Sequence, residues 1–301
     1  MGPWYERDMT LTTRRIGTTT VSAIGLGGMP MSIEGRPERA SSLRAIHEAL
    51  DQGLTLIDTA DAYNRDAGET GHNEELVAEG LRTWGGDASA VLVATKGGLI
   101  RPGDGSWLRN GRPEYLKRAA KESARRLGVE AIGLYQFHRA DPYVAFADSV
   151  GALVELLDEG VIRMAGISNV DPIMIDVAQD VLGGRLASVQ NQFSPFHTAS
   201  VREVERCVEL GIAFLAYRPL GGIGMAGRLG ERFGVFAQVA ARHEVSPQQV
   251  ALAWALRHSE AVIPIPGASR PETIRDSAHA LQVSLTEEDL ALLNGAVWLE
   301  A

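Results

Sequence analysis

Eight short apolar runs, spread along the whole chain and separated by stretches of helical period, constrain this sequence more than any other feature. They are 21–27 (VSAIGLG), 54–58 (LTLID), 91–96 (VLVATK), 131–138 (AIGLYQFH), 162–168 (IRMAGIS), 186–192 (LASVQNQ), 212–217 (IAFLAY) and 261–266 (AVIPIP). Most are continuously apolar rather than alternating, the pattern of strands buried on both faces. Segments 36–53, 71–84, 112–128 and 141–160 show helical period most clearly; several such segments open at a proline or an acid and several close at a glycine. Strand and helix alternating eight times predict an α/β chain closed into a (β/α)8 TIM barrel, a single domain over 1–301. An open doubly wound sheet is the alternative. Residues 10–22 (TLTTRRIGTTTVS) predict an N-terminal β-hairpin able to cap the barrel bottom. Residues 283–297 predict an extra C-terminal helix, with Thr286 as N-cap and Asp289 three residues on.

Charge and cysteine usage narrow the function. A formal net charge of −9 in a chain that is 22% charged argues against a nucleic-acid or anionic-membrane partner, either of which favours a basic stripe. The one cysteine, Cys207, allows no disulfide framework and no cysteine zinc site, and its apolar helical setting reads as an inert packed thiol. The first ten residues lack an apolar signal core, and no apolar run reaches the roughly 18 residues of a membrane span, so a cytoplasmic protein is expected.

In such barrels the chemistry sits at the C-terminal ends of the strands. Polar residues cluster there: Asp58 with Tyr63 just beyond, Lys96, His138, Ser168 with Asn169, Gln190, and Tyr217. Singly, each has a plain reading, as a helix cap, a hydrogen-bonded core group or a packed ring. Lys96 weakens that reading. It is one of three lysines, with Lys117 and Lys121, in a chain that otherwise uses arginine, and it follows the apolar VLVAT. Lysine can be tuned by its surroundings where arginine cannot. A tyrosine titrates near ~10, an adjacent ammonium lowers that value, and a carboxylate keeps the ammonium charged. A neutral histidine can orient a carbonyl oxygen. Such a set protonates an alkoxide as it forms, which carbonyl reduction by hydride requires.

The segments LIDTADAY (56–63), VLVATKGG (91–98), LYQFHR (134–139), GISN (166–169), VQNQFS (189–194), AYRPLGG (216–222) and IPIPGASRPETIRDS (263–277) resemble, in order and over essentially the whole chain, those of the aldo-keto reductases. The resemblance implies reduction of a small-molecule aldehyde or ketone with NADPH/NADP+, without a metal, through a tetrad of Asp58, Tyr63, Lys96 and His138. Asp61 stands outside that set and reads as structural. By the same resemblance Ser168, Asn169 and Gln190 hold the nicotinamide carboxamide and Tyr217 stacks on its ring. Pro219, Leu220 and Gly221 line the pyrophosphate channel, Gly28 and Met29 meet the cofactor at the first strand, and Gly267, Ser269, Arg270 and Thr273 receive its phosphate. Arg218 stands where many relatives have serine, and Ser277, at the adenine contact, where many have asparagine. Met29, Trp107 and Phe193, with Arg112 beside them, are expected to wall the substrate pocket.

The literal G-x-G-x-x-G at 222–227 (GIGMAG) is not a Rossmann fingerprint, because it does not open a helix directly and Glu244 does not end a strand. It reads as a flexible loop over bound cofactor. Two rival functions are a non-catalytic nicotinamide-sensing subunit, which would carry a broken tetrad or a long added segment, and a barrel metal hydrolase. The latter needs clustered ligands, whereas the seven histidines are scattered.

Overall fold

A computed structural model describes residues 12–298. The first two residues of the expected hairpin, and 1–11 and 299–301 of the expected domain span, lie outside the described residues. The chain opens with a hairpin, β1 (Thr13–Ile16) and β2 (Thr19–Ser22), and continues β3 (Leu26–Gly27), α1 (Arg39–Asp51), β4 (Leu56–Asp58), α2 (His72–Thr83) and β5 (Leu92–Gly97). A second hairpin, β6 (Leu99–Ile100) and β7 (Leu108–Arg109), precedes α3 (Pro113–Leu127). Then come β8 (Ile132–Phe137), α4 (Phe146–Asp158), β9 (Ile162–Ser168), α5 (Pro172–Val181), β10 (Leu186–Gln192), α6 (Val201–Leu210) and β11 (Ala213–Tyr217). The short α7 (Leu229–Arg232), α8 (Gly234–His243), α9 (Pro247–His258), β12 (Val262–Ile265), α10 (Pro271–His279) and α11 (Glu287–Trp298) complete it.

Helix limits follow from capping chemistry. Asp171 accepts from the Met174 N–H and Ser246 from the Gln249 N–H, each followed by a proline that needs no intrahelical partner. Gly128, at φ 71°, ends α3 in the left-handed conformation that glycine adopts without a Cβ clash. Thr286 and Asp289 hydrogen-bond reciprocally at the start of α11, as the sequence predicts: Asp289 N–H reaches Thr286 Oγ1 at 3.2 Å and Thr286 N–H reaches Asp289 Oδ2 at 3.1 Å.

Strands β3, β4, β5, β8, β9, β10, β11 and β12 are parallel neighbours in that order. The sheet closes between its ends. Gly25 donates to the Pro264 carbonyl at 3.0 Å and Gly27 to that of Pro266 at 2.9 Å, with Gly27 bridging Gly267. A side chain at Gly27 would stand 2.8 Å from the Ile265 carbonyl oxygen, so the seam needs glycine there. This is the expected (β/α)8 barrel, with eight strands each delivering a C-terminal end to one mouth.

One strand boundary differs from expectation. The run 21–27 is not continuous: Val21 and Ser22 belong to the β1–β2 hairpin, and only Leu26–Gly27 enters the barrel. Ser22 ties the corner between them, accepting from Thr55 N–H at 2.9 Å and donating to the Ile24 carbonyl at 2.7 Å. The hairpin covers the mouth opposite the strand ends. Ile16 and Val21 pack with the interior residues Leu56, Leu92, Leu134, Leu215 and Ile263. A second, larger apolar cluster lies between the strands and the helices and includes Phe137, Phe193, Phe214 and Trp254. Each large side chain so buried contributes about 1.5–3 kcal/mol. Among the described residues no helix is long and apolar enough to cross a membrane.

Candidate active site

Asp58 is the last residue of β4 and Lys96 the next to last of β5, so both side chains leave the barrel core at the same mouth. Lys96 is wholly buried. Its ammonium donates to Asp58 Oδ1 at 2.5 Å, to the Thr59 carbonyl at 2.9 Å and to Tyr63 Oη at 3.0 Å. Three acceptors match its three N–H bonds. The second carboxylate oxygen of Asp58 accepts from Gln190 Nε2 at 2.8 Å and Gln136 Nε2 at 3.4 Å. A buried ion pair is tolerated when its remaining lone pairs and protons are satisfied in this way.

Tyr63 reaches the pair from the loop after β4. Its ring stands edge-on to His138, 5.8 Å between centroids, and to Trp107 at 6.4 Å. Tyr63 is buried, 6% exposed. Burial pushes the Tyr63 hydroxyl upward from its ordinary value, and the pull of Lys96 only partly offsets it. The sequence reading, that the ammonium lowers this value, captured the smaller of two opposing effects. Tyr63 is therefore a protonated phenol throughout the neutral range. For Lys96 burial favours the neutral amine, but Asp58 and Tyr63 outweigh it and the ammonium is held above its ordinary value. His138 is held far below its usual range by burial, then by the charges of Lys96 and Arg139, so it is neutral. Its Nδ1 is buried and has no hydrogen-bond partner among the described residues.

A second tier of side chains adjoins the tetrad. Asn169, left-handed at φ 59°, accepts on Oδ1 from Tyr217 Oη at 2.8 Å and Arg139 Nη2 at 2.6 Å. It donates through Nδ2 to the His138 carbonyl and to Ser168 Oγ, both at 3.0 Å. A left-handed non-glycine residue costs on the order of 1–3 kcal/mol and persists where its surroundings over-determine it. Here four hydrogen bonds do so.

A model of the aldo/keto reductase family matches residues 23–297. The chain belongs to the aldo/keto reductase family. Probable aldo-keto reductase 1 of Glycine max is 31% identical to it, over 92% of this chain and 86% of that protein. Pyridoxine 4-dehydrogenase of Escherichia coli (strain K12) is 29% identical, over 95% and 99%. The crystal structure of an aldo-keto reductase from Klebsiella pneumoniae in complex with NADPH resembles it with a TM-score of 0.79 at 28% identity, covering 95% of each chain. Membership places the chain among oxidoreductases.

Within this family member the other expected site residues fall into four groups. Ser168, Asn169, Gln190 and Tyr217 lie together at the ends of β9, β10 and β11. Arg218, left-handed at φ 49°, accepts the Gly221 N–H at 2.9 Å and turns the chain through Pro219 and Leu220. Gly267, Ser269 and Arg270 follow β12, with Arg270 exposed as the N-cap of α10 and Thr273 in its first turn. Gly28 donates to the Asp58 carbonyl at 2.8 Å, and Met29 starts a single 3-10 turn beside it.

Three expectations change. Phe193 does not wall the pocket: it is fully buried, stacked on Trp254 at 5.4 Å and packed against Phe214, because it faces α9 rather than the mouth. Ser277 is buried and its hydroxyl bonds the Thr273 carbonyl of its own helix at 3.1 Å, which leaves it poorly placed for an adenine contact. The Gln190 amide nitrogen is engaged by Asp58, so Gln190 braces the ion pair. The GIGMAG segment is a loop entering a 3-10 turn, and Glu244 caps α8, in agreement with its rejection as a fingerprint. Asp61 is buried in a separate group with Glu74 and Arg126; burial and then Glu74 push its carboxyl well above the usual range. Sequence reasoning missed Gln136, Arg139 and Arg101. The first two lie within the motif LYQFHR itself, Gln136 on β8 and Arg139 just past its end, and strand alternation alone puts Gln136 on the same face as His138.

Proposed function

We propose that this chain reduces a small aldehyde or ketone to the alcohol with NADPH, with Tyr63 as proton donor, and that 1–301 works as one domain. The observation carrying the reading is the hydrogen-bond arithmetic at Lys96. Its third N–H is donated to Tyr63 Oη, so the hydroxyl's own hydrogen must point away from Lys96. A substrate oxygen placed at Tyr63 would receive that hydrogen.

The donor set suits a nicotinamide. Ser168 and Asn169 carry the mixed donor and acceptor groups that a carboxamide matches and would exchange present hydrogen bonds to meet it, Tyr217 offers a half-buried ring, and Arg270 is an exposed cation at a helix N-terminus, suited to phosphate. When bound, NADPH supplies a hydride to the carbonyl carbon. Tyr63 gives its proton to the oxygen, and Lys96 stabilises the phenolate left behind, itself held charged by Asp58. Neutral His138 keeps a ring nitrogen available to orient the carbonyl oxygen without adding charge. Trp107 and Met29 flank the substrate.

The rival reading, a sensing subunit without turnover, has the intact Asp58–Lys96–Tyr63 chain against it. The test is purified protein with NADPH and a panel of aldehydes and ketones, pyridoxal among them, followed by loss of reduced-nicotinamide absorbance. Turnover is expected. Tight NADPH binding without turnover of any carbonyl would favour the sensing subunit.

A further inference from the structure

Arg101 follows β6 and opens the loop that carries Trp107 back to β7. It is one of the largest fully enclosed side chains in the molecule, with 2% of its surface exposed. Its guanidinium carbon lies 4.3 Å from the centroid of the Trp107 ring, and the same indole stands edge-on to Tyr63 at 6.4 Å. The guanidinium carbon is thus no more than about 11 Å from the ring of the proposed proton donor.

Such a group is costly to enclose unless its N–H bonds are met. They are not. Nη2 pairs with one oxygen of Glu34, whose side chain is 57% exposed. Nε and Nη1 are buried and meet no acceptor among the described residues. Nη2 carries two hydrogens, one on each edge of the planar fork, and Glu34 uses one. Whichever it takes, the other edge keeps two parallel unpaired N–H bonds. That is the geometry a carboxylate fills with both oxygens.

We propose that Arg101 is the anion receptor of the substrate pocket, and that this chain takes oxo acids, aldehydes or ketones bearing a carboxylate a few carbons from the carbonyl. The inference rests on the reductase reading above and names its substrate class. The carbonyl sits at Tyr63, the carboxylate lies on the free edge of Arg101, and Trp107 forms the wall between them. Glu34 is the resident carboxylate. Exposed and bound through one oxygen, it neutralises Arg101 in the free enzyme and so competes for its charge with a substrate anion on the other edge. The purely structural alternative, in which Arg101 only staples the β6–β7 loop to the Glu34 loop, leaves the buried, unpaired edge of the fork unexplained.

The test compares 4-oxobutanoate with its uncharged methyl ester, the same carbonyl on the same chain, at saturating NADPH. Charge-assisted hydrogen bonds predict a ten- to hundredfold advantage in kcat/KM for the acid. In Arg101→Met that ratio should collapse toward one. In Arg101→Lys, which keeps the charge and loses the fork, it should fall at least severalfold. Glu34→Gln, at an exposed position, removes the competing carboxylate and should lower KM for the acid severalfold relative to the ester. Should Arg101→Met fail to fold, the lysine and Glu34 variants carry the same test. A wild-type ratio near one, or a ratio unmoved by both of those variants, overturns the proposal. So does a parallel loss of NADPH affinity in the Arg101 variants, since the anion would then belong to the cofactor. If other carbonyls are reduced but neither probe is, this inference fails alone; if no carbonyl is reduced, the reductase reading has failed.

Discussion

Replacing Lys96 by methionine separates what the buried ion pair does for the fold from what it does for Tyr63. Unit charges 2.5 Å apart attract by roughly 7 kcal/mol at an effective dielectric of about 20. Most of that offsets desolvation. Removing one partner of such a pair costs about 3–5 kcal/mol, because the other charge is left buried and uncompensated. Gln190 and Gln136 would still hydrogen-bond Asp58, so the loss should lie near the lower end, about 3 kcal/mol by urea midpoint at constant m. The double variant, Asp58→Asn with Lys96→Met, removes both charges and should recover most of that stability. Turnover should not recover. Tyr63, already pushed up by burial, loses the cation that stabilises its phenolate, and kcat should remain down by about 100-fold or more in both variants. NADPH affinity, measured by fluorescence, serves as the control. Recovery of turnover together with stability in the double variant would refute the reasoning, since Lys96 would then act only by holding the fold.

Arg270→Met should weaken NADPH about ten- to a hundredfold and leave NADH nearly unchanged, the difference shrinking as salt rises; equal weakening of both would move Arg270 away from the 2′-phosphate. His138, neutral in the fold, should destabilise the protein as pH falls: its folded value is depressed, so the unfolded chain takes up the proton first, and stability drops from about pH 6.5 downward. His138→Asn should flatten that acid limb in pH-dependent urea melts, and an unchanged limb would place the titration elsewhere. Asp61 has the opposite sign. Its folded value is raised, so its own contribution to stability is fully present below about pH 4 and is lost as pH climbs toward the raised value; the advantage of Asp61→Asn in thermal melting should grow over that range.

Strand ends were the legible part of this molecule. A buried strand must change character where it leaves the core, so Asp58, Lys96, His138 and Tyr217 stood out against apolar runs without any knowledge of their neighbours. Corners and loops were less legible. Val21 and Ser22 look like barrel strand because β-branched and small residues suit a hairpin equally well, and the dividing turn depends on Ser22 meeting Thr55. Phe193 looked like a pocket aromatic because it follows a polar strand end, but which way a ring faces after the last strand residue is decided by what packs there, in this case Trp254. The β6–β7 hairpin is too short and glycine-rich for a periodic signal. Arg101 within it reads as a solvated loop charge, and only tertiary contact with Trp107 and Glu34 reveals it as enclosed. The balance at Tyr63 was legible in its parts and not in its sum, because the extent of burial is a property of the whole fold.

The most direct measurement is single-turnover reduction by Tyr63→Phe with NADPH prebound. The change removes one oxygen from a ring whose edge contacts with His138 and Trp107 are kept. NADPH should bind as in the wild type, and the hydride-transfer rate should fall by about 100- to 10,000-fold. A rate within a few-fold of wild type would mean that the proton comes from elsewhere and that Tyr63 is not the acid.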